Sequence, residues 1–163
     1  MLTFKSGDMF AEDYDMLINP CNTVCTMGAG LALKFKRMYP EMFQAYVFAC
    51  QHGHVRIGHV WVWKGDMGEV IINFPTKEHW KKPSQYEWIE SGLQSLARYL
   101  RVQVSIREMQ RVNERKDLRE LSLAIPALGC GHGGLRWDRV SKMISESLEE
   151  FDDSLKIDVF EPK

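Results

Sequence analysis

No stretch of the 163 residues stays apolar for the roughly 20 positions that a membrane-crossing helix needs, and the N-terminus lacks the basic, apolar and small-residue order of a secretory leader. An excess of one charge is missing too. With 21 Lys and Arg against 22 Asp and Glu, the net charge of -1 exerts no overall pull on nucleic acid or a membrane, so any such contact has to be local. Cysteine is sparse: Cys21, Cys25, Cys50 and Cys130 show neither the C-x-x-C pairs of a zinc site nor the density of a secreted disulfide scaffold. Internal repeats and low-complexity linkers are lacking as well. These absences predict one soluble, cytoplasmic domain over residues 1–163, with free thiols, no membrane contact and no metal, and 45% hydrophobic content is enough to bury a core.

What is present is an alternation of two periodicities. Short apolar or alternating runs at residues 2–4, 16–18, 59–63, 70–74, 122–125 and 157–160 read as strands. Ser84 and Glu87 have the form of a capping box, and Tyr86, Ile89, Leu93, Leu96 and Leu100 then recur every three or four residues, a helix with one face for a sheet. Val140, Ile144, Leu148 and Phe151 predict a second helix, capped by Asp138. A third starts near Gly30, passes through Lys34, Lys36 and Arg37, and stops at Pro40. Residues 102–119, polar and rich in Arg, read as a long solvated helix supported by i,i+4 charges. The whole predicts an α/β fold whose mostly parallel or mixed sheet is covered on both faces, with ligands beyond the carboxyl ends of the strands.

Two glycine-rich segments leave strands and enter helices. In the first, residues 18–32, Gly28 and Gly30 let backbone amides approach an anion, and the helix that follows adds unpaired N–H groups and a favourable dipole. This segment has neither the Gly-Lys-Ser/Thr ending of a P-loop nor the Rossmann spacing G-x-G-x-x-G. The second, residues 126–135, holds Gly129, Gly131, Gly133 and Gly134, whose backbone entropy costs roughly 0.5–1 kcal/mol each relative to alanine in regular structure. A ligand-free turn accounts for either loop alone, whereas two on one small domain suit a diphosphate. Asn19 and Asn22 can exchange hydrogen bonds with sugar hydroxyls, or close Asx-turns. The residues by themselves describe a binder of a diphosphate that carries a sugar. Elsewhere, Cys50, His52, His54 and His59 offer zinc-ligand chemistry at the wrong spacing. Trp61, Trp63, Trp80, Trp88 and Trp137 read as core or sheet-face aromatics, with Trp80, next to the lysine loop, the one to test for stacking on a base.

Five segments, in order and spacing, together resemble the macrodomain family over nearly the whole chain. They are Gly7-Asp8-Met9, Ile18-Asn19-Pro20-Cys21-Asn22, Met27-Gly28-Ala29-Gly30-Leu31-Ala32, Thr76-Lys77 with Pro83 and Tyr86 downstream, and Pro126-Ala127-Leu128-Gly129-Cys130-Gly131. The resemblance falls in the branch that contains the terminal ADP-ribose glycohydrolase and the bacterial DNA ADP-ribosyl glycohydrolases of the DarG type. It implies a three-layer α/β/α sandwich with a mixed central sheet, and ADP-ribose as ligand with no cofactor. Asp8 would accept from the adenine amino group, Met9 would offer its backbone amide, and Asn22, with Asn19 beside it, would meet the distal ribose. Thr26, Met27, Gly28, Ala29, Gly30, Leu31 and Ala32 would close over the diphosphate from one side. Pro126, Leu128, Gly129, Cys130, Gly131, His132, Gly133, Gly134 and Leu135 would close from the other.

The resemblance also implies chemistry. Lys77 matches the lysine this branch uses: with its pKa lowered by partial burial, the amine attacks C1″, releases the modified base and leaves a lysine–ribosyl adduct for water to resolve. An acidic residue of the second loop assists in the eukaryotic relative, but the matching position here is Gly133, so the acid and base stay open: His132 or His79 could serve, or each is simply an exposed loop histidine. The implied activity is hydrolytic removal of ADP-ribose from a DNA base, thymidine, by a monomeric antitoxin to a DarT-like toxin. Lys34, Lys36, Arg37, Lys77, Lys81 and Lys82 read equally as a local positive rim for single-stranded DNA or as scattered surface charge. A non-catalytic ADP-ribose reader, or a hydrolase of derivatives such as the 1″-phosphate or O-acyl esters, are the alternatives. Antitoxins of this branch carry a further C-terminal domain, so a chain ending at Lys163 reads as an excised domain or a short relative.

Overall fold

The computed structural model describes residues 1–115 and 117–163. Six strands, β1 (Leu2–Lys5), β2 (Met16–Asn22), β3 (Trp61–Lys64), β4 (Val70–Lys77), β5 (Leu121–Ile125) and β6 (Leu155–Phe160), form one sheet in the order β1-β6-β5-β2-β4-β3. Every neighbouring pair is parallel except β3, which returns antiparallel along β4, so the sheet is mixed. The helices are α1 (Gly30–Met38), α2 (Pro40–Gln51), α3 (Tyr86–Glu114) and α4 (Trp137–Leu148), and a 3-10 turn follows at Glu149–Phe151.

The period of two along each strand sorts the apolar side chains between two cores. Met16, Ile18, Ile72, Phe74, Leu123, Ile125, Ile157 and Val159 meet Ile89, Leu93 and Leu96 of α3 and Val140 and Ile144 of α4. Leu17, Cys21, Ile71, Ala124 and Phe160 meet Phe35 of α1 and Met42, Tyr46 and Ala49 of α2. The expected three-layer α/β/α sandwich results. Its topology also locates a crevice. The helix that follows β2 packs on one face and the helix that follows β5 on the other, yet β2 and β5 are neighbours. The chain therefore parts above their carboxyl ends, the place where open α/β sheets bind ligands.

Several helix ends differ from the expectation. α3 has no capping box: Gln85 is its N-cap, without a side-chain bond, while Ser84 is buried and donates its amide to Gly133 O at 3.0 Å. Asp138 lies inside the first turn of α4 instead of capping it, and pairs at 3.0 Å with the N-cap residue Arg136. Phe151 fills the same core as Leu148 but from the 3-10 turn. Pro40 ends α1 and also opens α2 at a position where its missing N–H is harmless, a helix the sequence reading omits. Beyond residue 101, α3 continues to Glu114, and its arginines reach neighbouring chain: Arg107 donates to Arg119 O at 3.1 Å and Arg111 to Leu118 O at 3.0 Å. Lys116, within the segment expected to be helical, lies outside the described residues. Among the described residues no helix is long and apolar enough to cross a membrane.

Candidate active site

Residues 23–29 join β2 to α1, whose first turn has nothing to close its amides. Its N-cap Ala29 makes no side-chain bond, the first turn holds no acid, and the amides of Gly30, Leu31 and Ala32 meet no acceptor among the described residues. Lys36 and Arg37 stand in the last turn and complement the negative end of the dipole, which leaves the positive end to an incoming anion.

Asn22 shapes this loop from beneath. Its Oδ1 accepts from Val24 N at 3.1 Å and from Tyr46 Oη at 2.9 Å, and its Nδ2 donates to Thr26 O and Thr26 Oγ1 at 3.0 Å each. Asn19 is fully buried: its Nδ2 donates to Asn73 Oδ1 at 3.0 Å and lies 3.6 Å from Met27 Sδ, so it supports the buried Met27. Thr26, Gly28, Ala29 and Gly30 are exposed above them, with Leu31 and Ala32 half-buried. Tyr46 and Asn73 are absent from the residues that sequence reasoning selects. A tyrosine on α2 and an asparagine inside an apolar strand were the signals available.

The second loop is drawn tight. Cys130 N donates to Ala127 O at 3.1 Å, Gly134 N to Gly131 O at 3.2 Å and Leu135 N to Gly129 O at 2.9 Å. Pro126, Leu128, Gly129 and Gly133 are buried, Cys130 and Leu135 half-buried, and Gly131, His132 and Gly134 exposed. Gly133 admits no side chain, because a Cβ there would lie 2.4 Å from both Gly129 O and Ser84 Oγ. An acid at this position would require the turn to be rebuilt. The amides of Gly131, His132 and Gly133 have no acceptor among the described residues. His132 brings the loops together, since a Cβ on Gly30 would lie 3.8 Å from its Cδ2.

Lys77 owes its place to strand register. β2 and β4 pair regularly from Leu17↔Ile71 to Cys21↔Pro75; then Asn22 stands opposite Lys77, and Thr76 is the extra residue of a bulge. The Lys77 amine donates to Trp80 O at 3.3 Å, and burial lowers its pKa below that of an ordinary lysine. Thr23 Oγ1 donates to Glu78 O at 2.9 Å and ties the segment after Lys77 to the first loop.

The remaining candidates lie around this centre. Asp8 is exposed; the amide of Phe10 and the ammonium of Lys34, each 2.9 Å away, hold its carboxyl below the ordinary range, and Met9 beside it is buried. Lys34 is thus taken from the expected basic rim, and Lys36 lies 4.4 Å from the ring centroid of Phe43. Arg37, Lys81 and Lys82 remain exposed. His79 Nδ1 accepts from Lys81 N at 3.1 Å, which leaves Nε2 to carry the ring proton of the neutral imidazole.

The Macro domain family model matches residues 18–144. A DNA ADP-ribosyl glycohydrolase of Thermus aquaticus is 41% identical over 165 residues, 99% of this chain and 41% of that protein. In Thermosipho africanus, a DNA ADP-ribosyl transferase-DNA ADP-ribosyl glycohydrolase fusion protein is 30% identical over 174 residues, 96% of this chain and 41% of that protein. A solved structure of DarTG from that organism in complex with ADP-ribose matches with a TM-score of 0.78 at 28% identity, over 99% of this chain and 41% of that one. The macrodomain of Mycobacterium tuberculosis DarG matches with a TM-score of 0.83 at 39% identity, over 100% of this chain and 99% of that one. The chain spans about two fifths of the length of these curated relatives. With both glycine loops at the crevice and the family match running from β2 into α4, the chain belongs to the macrodomain family.

Proposed function

We propose that this chain is a glycohydrolase that removes ADP-ribose from modified bases of single-stranded DNA, thymidine foremost, and so reverses a DarT-like DNA ADP-ribosyltransferase. Lys77 carries the proposal: a half-buried amine at the end of β4, opposite Asn22, with its pKa lowered and no ion pair among the described residues. A lysine serving only to attract phosphate gains nothing from desolvation, whereas a nucleophile needs the neutral amine that desolvation favours. This weighs against a non-catalytic reader. The names of the Thermus and Thermosipho relatives support DNA as the acceptor, and the Thermosipho complex supports ADP-ribose as the group held.

In this reading the free amides of Gly30, Leu31 and Ala32 and those of Gly131, His132 and Gly133 grip the diphosphate, while Asp8 and Met9 receive the adenine. Asn22 meets the distal ribose by exchanging its Thr26 bonds for sugar hydroxyls. The Nζ lone pair of Lys77 forms a bond to C1″ as the N-glycosidic bond breaks. The base departs with the electron pair and takes up a proton, and water then displaces the lysine to give free ADP-ribose. The domain acts as a monomer, and its four unpaired cysteines suit a reducing cytoplasm.

The test is parallel incubation with thymidine-, guanosine- and protein-linked ADP-ribose. Release of ADP-ribose from the thymidine-linked oligonucleotide is expected. Turnover of the protein-linked substrate, with the DNA substrates untouched, would overturn the assignment.

A further inference from the structure

Trp80 is 53% exposed, whereas the other four tryptophans are half-buried. It stands on a turn that is fastened at several points. Lys82 N donates to His79 O at 3.0 Å, Thr23 Oγ1 to Glu78 O at 2.9 Å, and the Lys77 amine to the carbonyl of Trp80 itself at 3.3 Å. The indole is therefore held out in water by a braced backbone three residues from the amine that would attack the ribose. Its surroundings are basic. His79 stacks on it at 5.3 Å between centroids and an interplanar angle of 27°, and the Lys81 ammonium lies 4.9 Å from the ring centroid. Lys77 and Lys82 add two more cations, against Glu78 as the one acid of the turn.

An exposed aromatic face among cations is the combination with which proteins hold single-stranded nucleic acid, the ring stacking on a base and the cations meeting phosphates. ADP-ribose attached to a protein brings no stacked base to such a face, whereas a DNA strand carries further bases on the nucleotides adjoining the modified one. Lys81 and Lys82 are exposed, so a base can displace the Lys81 ammonium from the ring while that ammonium moves to a phosphate. Resting on the glycohydrolase reading above, we infer that Trp80 is the platform on which a base adjoining the modified nucleotide stacks, with Lys81 and Lys82 holding the flanking phosphates. Trp80 is thus a specificity residue for the DNA strand, separate from the grip on ADP-ribose.

The test compares wild type, Trp80→Ala and Trp80→Phe on two substrates, an ADP-ribosylated single-stranded oligonucleotide and the ADP-ribosylated mononucleoside, with ADP-ribose binding measured by calorimetry. Trp80→Ala is expected to raise KM for the oligonucleotide about tenfold or more with kcat within about twofold, and Trp80→Phe to restore most of the loss. Neither variant should alter KM for the mononucleoside or Kd for ADP-ribose. An unchanged KM on the oligonucleotide, or an equal loss on both substrates, overturns the platform. A wild type inactive on both substrates would defeat the glycohydrolase reading alone; binding of the unmodified oligonucleotide, weakened in Trp80→Ala if the platform exists and unchanged if it does not, still decides this inference.

Discussion

Lys77 stands opposite Asn22 because the β2–β4 ladder slips by one residue at Thr76. The slip matters for both side chains. Without it Thr76 would take the place beside Asn22, and the amine would fall one residue further along and on the other face of the strand. Asn22 is itself fixed by Tyr46 and Thr26, so the bulge sets an amine against an anchored amide.

The lowered pKa of Lys77 fixes the sign of the pH dependence. The free amine is the reactive form, so kcat/KM should rise with pH through the folded-state pKa of Lys77 and level off above it. The plateau should arrive below the value of about 10.4 expected of an exposed lysine. Lys77→Arg, which keeps its proton throughout, should be inactive at every pH. A pH–rate profile that falls across this range would remove lysine attack from the account.

Gly133 and Gly131 should behave oppositely under the same substitution. A Cβ at Gly133 would meet Gly129 O and Ser84 Oγ at 2.4 Å, so Gly133→Ala should lower stability by about 1–3 kcal/mol and weaken ADP-ribose binding. A Cβ at Gly131 meets nothing within 4 Å, so Gly131→Ala should leave the melting temperature unchanged. Thermal unfolding with and without ADP-ribose reads both effects.

Tyr46→Phe removes the hydroxyl that donates toward Asn22 O at 2.8 Å and Asn22 Oδ1 at 2.9 Å. The expected loss of stability is about 1 kcal/mol, with a several-fold rise in Kd for ADP-ribose as the first loop loosens. Denaturant titration and calorimetry on the same preparation check the pair, and a weaker fold with unchanged affinity would detach Tyr46 from the site.

Asp158 should contribute to the acid limb of stability. Burial pushes its carboxyl up, but Tyr14 Oη at 2.6 Å and Lys5 Nζ at 3.0 Å outweigh burial and hold the pKa below the ordinary aspartate value. Because the folded pKa lies below the unfolded one, the stabilisation is present above about pH 3.9 and is lost as pH falls through the folded value. Asp158→Asn should soften that acid limb and lower the melting temperature at neutral pH, where Lys5 keeps Glu12 but loses the buried one of its two carboxylate partners.

The strands and the apolar stripes of α3 and α4 were legible because each carries one unbroken period, as Ile89, Leu93 and Leu96 do. β2 was legible only to Ile18, since Pro20 and two asparagines interrupt the apolar run, although the strand continues to Asn22. Helix starts were misread where tertiary contacts outrank local capping: Ser84 follows the capping-box pattern, yet the second loop draws its amide to Gly133 O and buries its side chain. The glycine loops were legible in position. Their supports Tyr46, Asn73 and Ser84 were not, because each acts on a residue distant in sequence, as Asn73 does on Asn19. The bulge at Thr76 has no local sequence mark at all, being a property of two strands together.

Lysine attack at C1″ is tested by comparing wild type with Lys77→Ala on a thymidine-linked ADP-ribosyl oligonucleotide while calorimetry follows ADP-ribose binding. If Lys77 is the nucleophile, the alanine variant releases no ADP-ribose yet binds it within about tenfold of wild type, a difference near 1.4 kcal/mol. An alanine variant that releases ADP-ribose at the wild-type rate would contradict it.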